Sequence, residues 1–388
     1  MSTPVRVVHL IPTLERAGAE HALARVVAHA DAAQVRHTVV SLTERGPLAE
    51  TIEAAGVEVI ALGARSPAST LLRLPRLLAV IRAARPDVVQ GWMVHANLLA
   101  WLARALAAPS ARLAWNLRGP GKGLVHESAP TRALTRAAAV VSRDVDLMIA
   151  NSTAAMTDHV ELGYAPRERA LAPNGFDLEH FRPDPAERAR MREALGLPAD
   201  AVAFGLVGRF HPVKGHALFV EAAAEVARLR PRAVFVLAGA GTADAPELDA
   251  LLAFHGVAGR FIRLGARTDV AAILRALDVA CAPSVYESFP NAVGEAMACA
   301  VPCVATHISD VRAILADGGL VVPAGDAAAL ARAMVLLADD AEARERMGRA
   351  GRRRAEDHYS IASSARRYDQ LYAALHTSRS EIRRGAPA

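Results

Sequence analysis

Short β-branched runs alternate with longer amphipathic ones along nearly the whole chain, and that cadence constrains the fold more than any other feature. VRVVHLI (5–11) is followed by GAEHALARVVAHA, HTVVSL (37–42) by PLAETIEAAG, and VEVIAL (57–62) by LLRLPRLLAVIRAAR. DVVQGW (87–92) precedes ANLLAWLARALA, and ARLAWNL (111–117) precedes a helical stretch reaching about residue 142. DLMIAN (146–151) then leads into STAAMTDHVELG. Strand, helix, strand in this order predicts an α/β fold, a parallel sheet covered by helices on both faces.

The cadence breaks at PNGFDLEHFRPDPAE (173–187) and restarts with VAFGLVGR (202–209), AVFVLAG (233–239), RFIRLG (260–265), VACAPS (279–284) and PCVATH (302–307). A chain of 388 residues is too long for one ordinary core and suits two. The expectation is two doubly wound, Rossmann-like domains, 1–180 and 181–360, joined near 175–185 and facing a central cleft. An amphipathic helix over 361–376 is expected to pack back, on the N-terminal domain, and 377–388 to be a flexible tail.

Composition narrows the class. Hydrophobic residues make up 52% and aromatics 4%, which predicts cores of Leu, Val and Ala rather than large rings. A net charge of +5 is too small and too dispersed to argue for nucleic acid. Cys281, Cys299 and Cys303 give no disulfide framework and suit a reducing cytoplasm. Pro302 separates Cys299 from Cys303 and no nearby histidine completes a zinc set, so no metal site is expected there. The N-terminus lacks a signal-peptide core and cleavage site, and no apolar run is long enough to span a membrane; a cytoplasmic location is the expectation. LLRLPRLLAVIRAAR (71–85) sets four arginines among apolar residues. That leaves peripheral contact with the inner face of an anionic membrane open, beside the commoner reading as an ordinary packing helix.

Ligands of open α/β sheets bind where loops leave the carboxyl ends of strands, and three such loops stand out. In PTLERAGAEHAL (12–23), Gly18 lies at a helix start, where bare N–H groups suit an anion; a plain strand–helix turn explains it equally well. In VGRFHPVKGH (207–216), Gly208 ends a strand and Arg209 and Lys214 project before the next helix. Two cations so placed suit a diphosphate, and two solvated surface cations are the alternative. His211 and His216 sit in the same loop without a carboxylate to complete a metal site. In SVYESFPNAVGEAM (284–297), Ser288 is a candidate N-cap and Pro290 a first-turn residue, which starts a helix near 289–291. Glu287 then lies in the loop and Glu295 on the helix. Paired hydroxyls of ribose or hexose are natural partners for such carboxylates; local ion pairs are the other reading.

Together these residues resemble retaining glycosyltransferases of the GT-B fold, in particular glycosyltransferase family 4, the group 1 family. Glu287 and Glu295 look like its paired glutamates, with seven residues between them, and VGRFHPVKGH is similar to its glycine–arginine–lysine loop. APNGFDLEHFRPD resembles its interdomain segment, AGAE (17–20) its glycine-rich first loop, and VVPAGDAAALARAM its late proline–glycine–aspartate turn. The similarity runs from about residue 5 to 375. It implies a nucleotide-diphosphate-sugar as donor substrate, no cofactor and no metal, with hexosyl transfer to a glycan or lipid-linked acceptor in cell-surface polysaccharide biosynthesis.

The resemblance also implies roles. Arg209 and Lys214 neutralise the diphosphate, helix starts at Gly18 and at Ser288, Phe289, Pro290 and Asn291 add N–H donors, and Gly208 lets the backbone approach. Glu295 holds the ribose, Glu287 lies near the sugar, and backbone near Leu264 and Gly265 faces the base. On the acceptor side the family often carries a histidine pair before a later His-Ala-Asn. This sequence keeps His95-Ala96-Asn97 but has Gln90 and Trp92 where the pair falls. His95 is thus either an acceptor-side catalytic group or a helix cap, with Asn97 beside it. Arg118 and Lys122 in NLRGPGKG are candidates for an anionic acceptor, although the loop lacks P-loop spacing. Asp144 and Asp146 read as a solvated strand entry rather than a metal pair. Two rivals share the shape: a nucleotide-sugar epimerase and a non-catalytic nucleotide-sugar-binding protein. A dinucleotide oxidoreductase is disfavoured because no strand–helix turn carries G-x-G-x-x-G.

Overall fold

The computed structural model describes residues 3–119 and 128–384. Contacts divide the chain into two units, one running to Gly175 and resuming at Ile361, the other spanning Phe176–Ser360.

The first unit opens with β1 (Val5–Ile11), α1 (Gly18–Ala28), β2 (Val35–Ser41), α2 (Ala49–Ala54) and β3 (Glu58–Ala61). It continues with α3 (Pro67–Leu72), α4 (Leu74–Ala84), β4 (Val88–Trp92), α5 (Met93–Ala107) and β5 (Arg112–Leu117). After the loop come α6 (Ala129–Val141), β6 (Leu147–Ala150), α7 (Thr153–Glu161) and β7 (Glu168–Leu171). All neighbouring strands are parallel in the order β3-β2-β1-β4-β5-β6-β7. Side chains alternate across this sheet as strand geometry requires. Val8 and Leu10 of β1 join the core under α4–α7, while Val7 and Ile11 join the one under α1 and α2.

The second unit holds α8 (Pro185–Ala194), β8 (Val202–Val207), α9 (His216–Leu229), β9 (Ala233–Ala238), α10 (Pro246–Phe254) and β10 (Phe261–Arg263). Then follow α11 (Val270–Ala276), β11 (Val279–Ala282), α12 (Asn291–Ala298), β12 (Cys303–Thr306) and α13 (Val311–Leu315). It ends with β13 (Gly319–Val322), α14 (Ala327–Asp339) and α15 (Ala341–His358). Its parallel sheet runs β10-β9-β8-β11-β12-β13. The two ends of this unit are bridged, Phe176 pairing with Ser360 and its N–H donating to the Tyr359 carbonyl at 2.7 Å. The Phe176 ring packs near Phe289, ring centres 6.2 Å apart, and fills the space a side chain on Gly294 would need.

The last helix, α16 (Ile361–Arg384), belongs to the first unit. Its Tyr368, Tyr372 and Leu375 are buried in the core shared with β1, β2 and α1. The helix passes Thr377 and ends only at Arg384, where a flexible tail was expected. Few as they are, the rings do core work: Phe204 and Phe261 both lie against Phe235, and Trp92 stacks on Tyr368. Among the described residues, no helix is long and apolar enough to cross a membrane.

Candidate functional site

In each sheet the strand order reverses once, between β1 and β4 in the first and between β8 and β11 in the second. These switch points are where open α/β sheets leave a crevice for ligands. The helices that follow these four strands, α1, α5, α9 and α12, carry no side-chain N-cap bond. Side-chain caps are made on α3, α6, α7, α8, α14 and α15, while α2, α4, α10, α11 and α13 lack them as well, so it is the place of these four at the switch points that sets them apart. Uncapped helix starts leave N–H groups and a positive dipole end available to an anion.

In the second unit the loops after β8 and β11 are laced together. Val285 N–H donates to the Val213 carbonyl at 2.8 Å, and on its other side the β8 loop is held to the end of β9 by Gly208 N–H donating to the Ala238 carbonyl at 2.8 Å. A 3-10 turn over Pro212–Lys214, rather than plain loop, delivers the chain to α9. Gly215 joins them at φ 71°, and a side chain there would collide with the Pro283 carbonyl. Only glycine satisfies both the left-handed backbone and that approach. Arg209 is exposed, and among the described residues no carboxylate pairs with it. Lys214 is partly buried and its Nζ meets Glu287 Oε1, which also accepts a hydrogen bond from Ser284 Oγ at 3.0 Å. The residues read as diphosphate-facing and sugar-facing thus form one ion pair.

The start of α12 differs in detail from expectation. Pro290 is itself the N-cap rather than a first-turn residue, and Ser288 is not the cap. The Ser288 carbonyl instead accepts from Ser309 Oγ at 3.0 Å. The Phe289 side chain is buried against Phe176 and Tyr359, so only its backbone is left for a ligand. Asn291 opens the helix and Glu295 is its fifth residue, partly exposed. Beyond β10, Leu264 N–H extends the ladder to the Leu237 carbonyl, Gly265 N–H donates to Thr242 Oγ1 at 3.1 Å, and its carbonyl accepts from Gly239. Gly265 therefore spends its backbone on holding the loop. His216 is buried at the start of α9, and burial pushes it down to about 4, so it stays neutral. Among the described residues no group of three or more His, Cys, Asp or Glu could hold a metal ion.

In the first unit, Gly18 is the first residue of α1, and buried Glu20 accepts from Thr13 Oγ1 at 3.0 Å. At the end of β4, Gln90 and Trp92 are wholly buried and face the C-terminal helix. Gln90 Oε1 accepts from the Tyr372 hydroxyl. Trp92 Nε1–H, which can only donate, gives its proton to His9 Nδ1 at 3.2 Å. His9 must then donate through Nε2 to His37 Nδ1, 2.8 Å away, so both imidazoles are assigned as neutral. Burial holds His9 well below its ordinary pKa and pushes His37 down to about 4.

Met93 follows with φ 67°, a rare backbone state for a side chain of its size, and His95 lies exposed in the first turn of α5. Asn97 is buried: its Nδ2 donates to the Asn116 carbonyl at 3.4 Å, while its Oδ1 has no partner. Arg118 donates to Asn116 Oδ1 at 2.7 Å, to Asn174 and to the Tyr368 hydroxyl at 2.7 Å, and lies over the Trp92 ring. His95, Asn97 and Arg118 share a cavity of about 230 Å³ with Thr131 and Tyr164. Lys122 lies outside the described residues. Asp144 accepts from Trp101 Nε1 and stays exposed, whereas Asp146 is buried between Arg112 and Arg167, so only Asp144 fits a solvated strand entry. The polar cluster of His9, His37, Asn116, Tyr368 and Tyr372 had no local signal in the sequence, because its members are brought together from distant strands and α16.

Comparison with known proteins matches this arrangement to a family. Residues 16–180 fit the model for Glycosyltransferase Family 4, and residues 201–340 that for Glycosyl transferases group 1. The D-inositol 3-phosphate glycosyltransferase of Kineococcus radiotolerans is 36% identical over 233 residues, covering 54% of this chain and 53% of that protein. The Escherichia coli UDP-Gal:alpha-D-GlcNAc-diphosphoundecaprenol alpha-1,3-galactosyltransferase is 32% identical over 189 residues, covering 46% and 48%. The aligned part thus spans about half the length of the curated relatives it matches. Among solved structures, Anabaena HepE in complex with UDP and glucose superposes with a TM-score of 0.82 over 95% of this chain and all of that one. At 21% identity that likeness speaks to the fold. With both halves matched by the family's models on a GT-B frame, the chain belongs to glycosyltransferase family 4, the group 1 transferases.

Proposed function

We propose that this protein is a retaining glycosyltransferase that moves a hexose from a nucleotide-diphosphate-sugar to a glycan or lipid-linked acceptor in cell-surface polysaccharide assembly. The observation that carries the reading is the Lys214–Glu287 pair beside exposed Arg209 at the second sheet's switch point. In transfer, the bond between the sugar's anomeric carbon and the diphosphate breaks, and negative charge grows on the leaving group. Arg209, Lys214 and the dipole of α12, whose start no side chain caps, supply positive charge where it develops, without calling on a metal. Glu295 accepts hydrogen bonds from the ribose hydroxyls. The acceptor hydroxyl is offered from the first unit, near His95 and the unpaired Asn97 Oδ1. UDP-sugars are the first donors to test, since HepE binds UDP and glucose and the E. coli relative is named for UDP-Gal.

Calorimetry with UDP, GDP and ADP in EDTA-containing buffer tests this reading. One of the three should bind. Lys214→Ala and Glu295→Ala should each weaken that nucleotide by about tenfold or more, the scale of a lost charge-assisted hydrogen bond. Unchanged affinity in both variants, with folding intact, would overturn the site; binding that needs added metal would overturn the metal-free mechanism.

A further inference from the structure

We propose that His216 is a positioning residue for the donor site, holding from beneath the loop that carries Arg209 and Lys214. The inference rests on reading that loop as the one that meets the diphosphate, and it concerns a residue that reading leaves without a task. His216 opens α9 directly after Lys214 and Gly215, and it is only 2% exposed. Its ring meets the Phe210 ring edge-on, with centres 5.2 Å apart, so the side chain turns back under the loop it follows. Phenylalanine would serve such packing equally well. The nitrogens are what need an explanation.

Both ring nitrogens of His216 are buried, and neither makes a well-formed hydrogen bond. A neutral imidazole carries one donor and one acceptor, and leaving either unmade in the interior costs stability. Several neighbouring groups are already engaged. His211 Nδ1 accepts from Val213 N–H at 3.3 Å, the Val213 carbonyl accepts from Val285 N–H, and Phe210 N–H donates to the Ala240 carbonyl at 2.7 Å. What His216 faces is the backbone of Gly208 and His211. Both raise its basicity against the pull of burial, as carbonyl oxygens do.

Those two carbonyls bracket Arg209 and Phe210 in the chain. The His211 carbonyl also accepts from Lys214 N–H at 2.9 Å. A side-chain carbon on Gly208 would touch the Lys214 stem at 3.5 Å, so the lysine runs past the same stretch of backbone. One ring thus lies against the backbone that supports both cations. When Arg209 and Lys214 are drawn onto a diphosphate, the loop settles on the ring and a ring N–H donates to one of these carbonyls. The bond is completed only with nucleotide in place, so it adds to affinity although the ring does not touch the ligand.

Calorimetry with whichever of UDP, GDP and ADP binds the wild type compares His216→Phe, His216→Asn and His216→Gln, with Lys214→Ala alongside. His216→Phe keeps the ring packing and loses the donor, and should weaken the nucleotide about tenfold, the scale of one hydrogen bond. The two amides give up the ring but keep an N–H donor, and the better of them should bind within about threefold of wild type. Wild-type affinity in His216→Phe, or no better affinity in either amide than in His216→Phe, overturns the inference and leaves His216 as packing. Wild-type affinity in Lys214→Ala overturns the donor-site reading instead. Loss in Lys214→Ala with His216→Phe unchanged sinks this inference alone. Should the variants not fold, nuclear magnetic resonance of nitrogen-labelled histidine in the wild type decides. The His216 ring N–H should move downfield on nucleotide addition with the ring still neutral, and an unmoved or protonated ring overturns the proposal.

Discussion

At the scale of single residues, the two glutamates of SVYESFPNAVGEAM do different work. Charged side chains in an apolar, small-residue stretch are visible in sequence because they need a partner. The partner of Glu287 was not visible, since Lys214 lies 73 positions away and only the parallel pairing of β8 with β11 brings their loops together. The pair makes Lys214 available at a fixed place, yet it also makes Glu287 compete with an incoming diphosphate for the same ammonium. Glu287→Gln keeps an acceptor for Ser284 Oγ and removes that competition. Nucleoside diphosphate should then bind at least as tightly as to wild type, while kcat should fall about a hundredfold if, as proposed, this carboxylate faces the sugar. Parallel calorimetry and steady-state kinetics check this. A loss of nucleotide affinity equal to that of Lys214→Ala would mean the two act in binding as a single unit.

At the scale of elements, most strands stand within one or two residues of their apolar runs, and the two that were not foreseen are both sheet edges. β7, Glu168–Leu171, is largely exposed and holds no β-branched residue; β13, Gly319–Val322, opens on a glycine. Hydrogen bonding to β6 and β12 makes them strands, and no burial pattern announces it. The packing of α16 back on the first unit is legible in its amphipathic pattern, but the same limit hides what it covers. The histidines it covers, on β1 and β2, read as ordinary strand residues. His9 and His37 both face Tyr372 from α16, His9 also faces Trp92 from β4, and Tyr368 of α16 and Arg118 beyond β5 pack on Trp92. The pair is neutral when folded and free to protonate when unfolded. Between pH 6.5 and about 4 the unfolded chain therefore binds more protons, so stability falls as pH falls through that window. His37 alone accounts for about 3 kcal/mol by its shift. Trp92, Trp101 and Trp115 are the chain's three tryptophans and all lie in the first unit, so their fluorescence follows its unfolding. H37Q preserves an acceptor for His9 Nε2–H. Its urea-unfolding free energy should depend on pH less steeply than wild type by about one proton between pH 4.5 and 6. An unchanged slope would show that the pair is not what titrates.

At the scale of the whole molecule, the chain leaves the first unit at Gly175, builds the second, and returns to finish the first with α16. The second unit is closed on itself by the Phe176–Tyr359 hydrogen bond and owes α16 nothing in its own cores. The first unit owes it a great deal. Tyr368, Tyr372 and Leu375 are buried in the core they share with β1, β2 and α1, and each is worth about 2 kcal/mol or more by apolar area alone. Removing the helix also strips Gln90, Asn116 and Arg118 of hydrogen-bond partners that are buried or partly so. A loss on the order of 10 kcal/mol is comparable to the entire stability of a domain this size. A chain cut after Ser360 should therefore show tryptophan emission shifted to the red with no cooperative urea transition, because the tryptophans report the unit that has lost its cover. Its affinity for nucleoside diphosphate should stay within about threefold of the full chain, since Arg209, Lys214, Glu287 and Glu295 all lie in the unit that keeps its cores. A cooperative tryptophan transition in the shortened chain would show that α16 is dispensable to the first sheet. Loss of nucleotide binding would show that the donor site draws on more than the second unit.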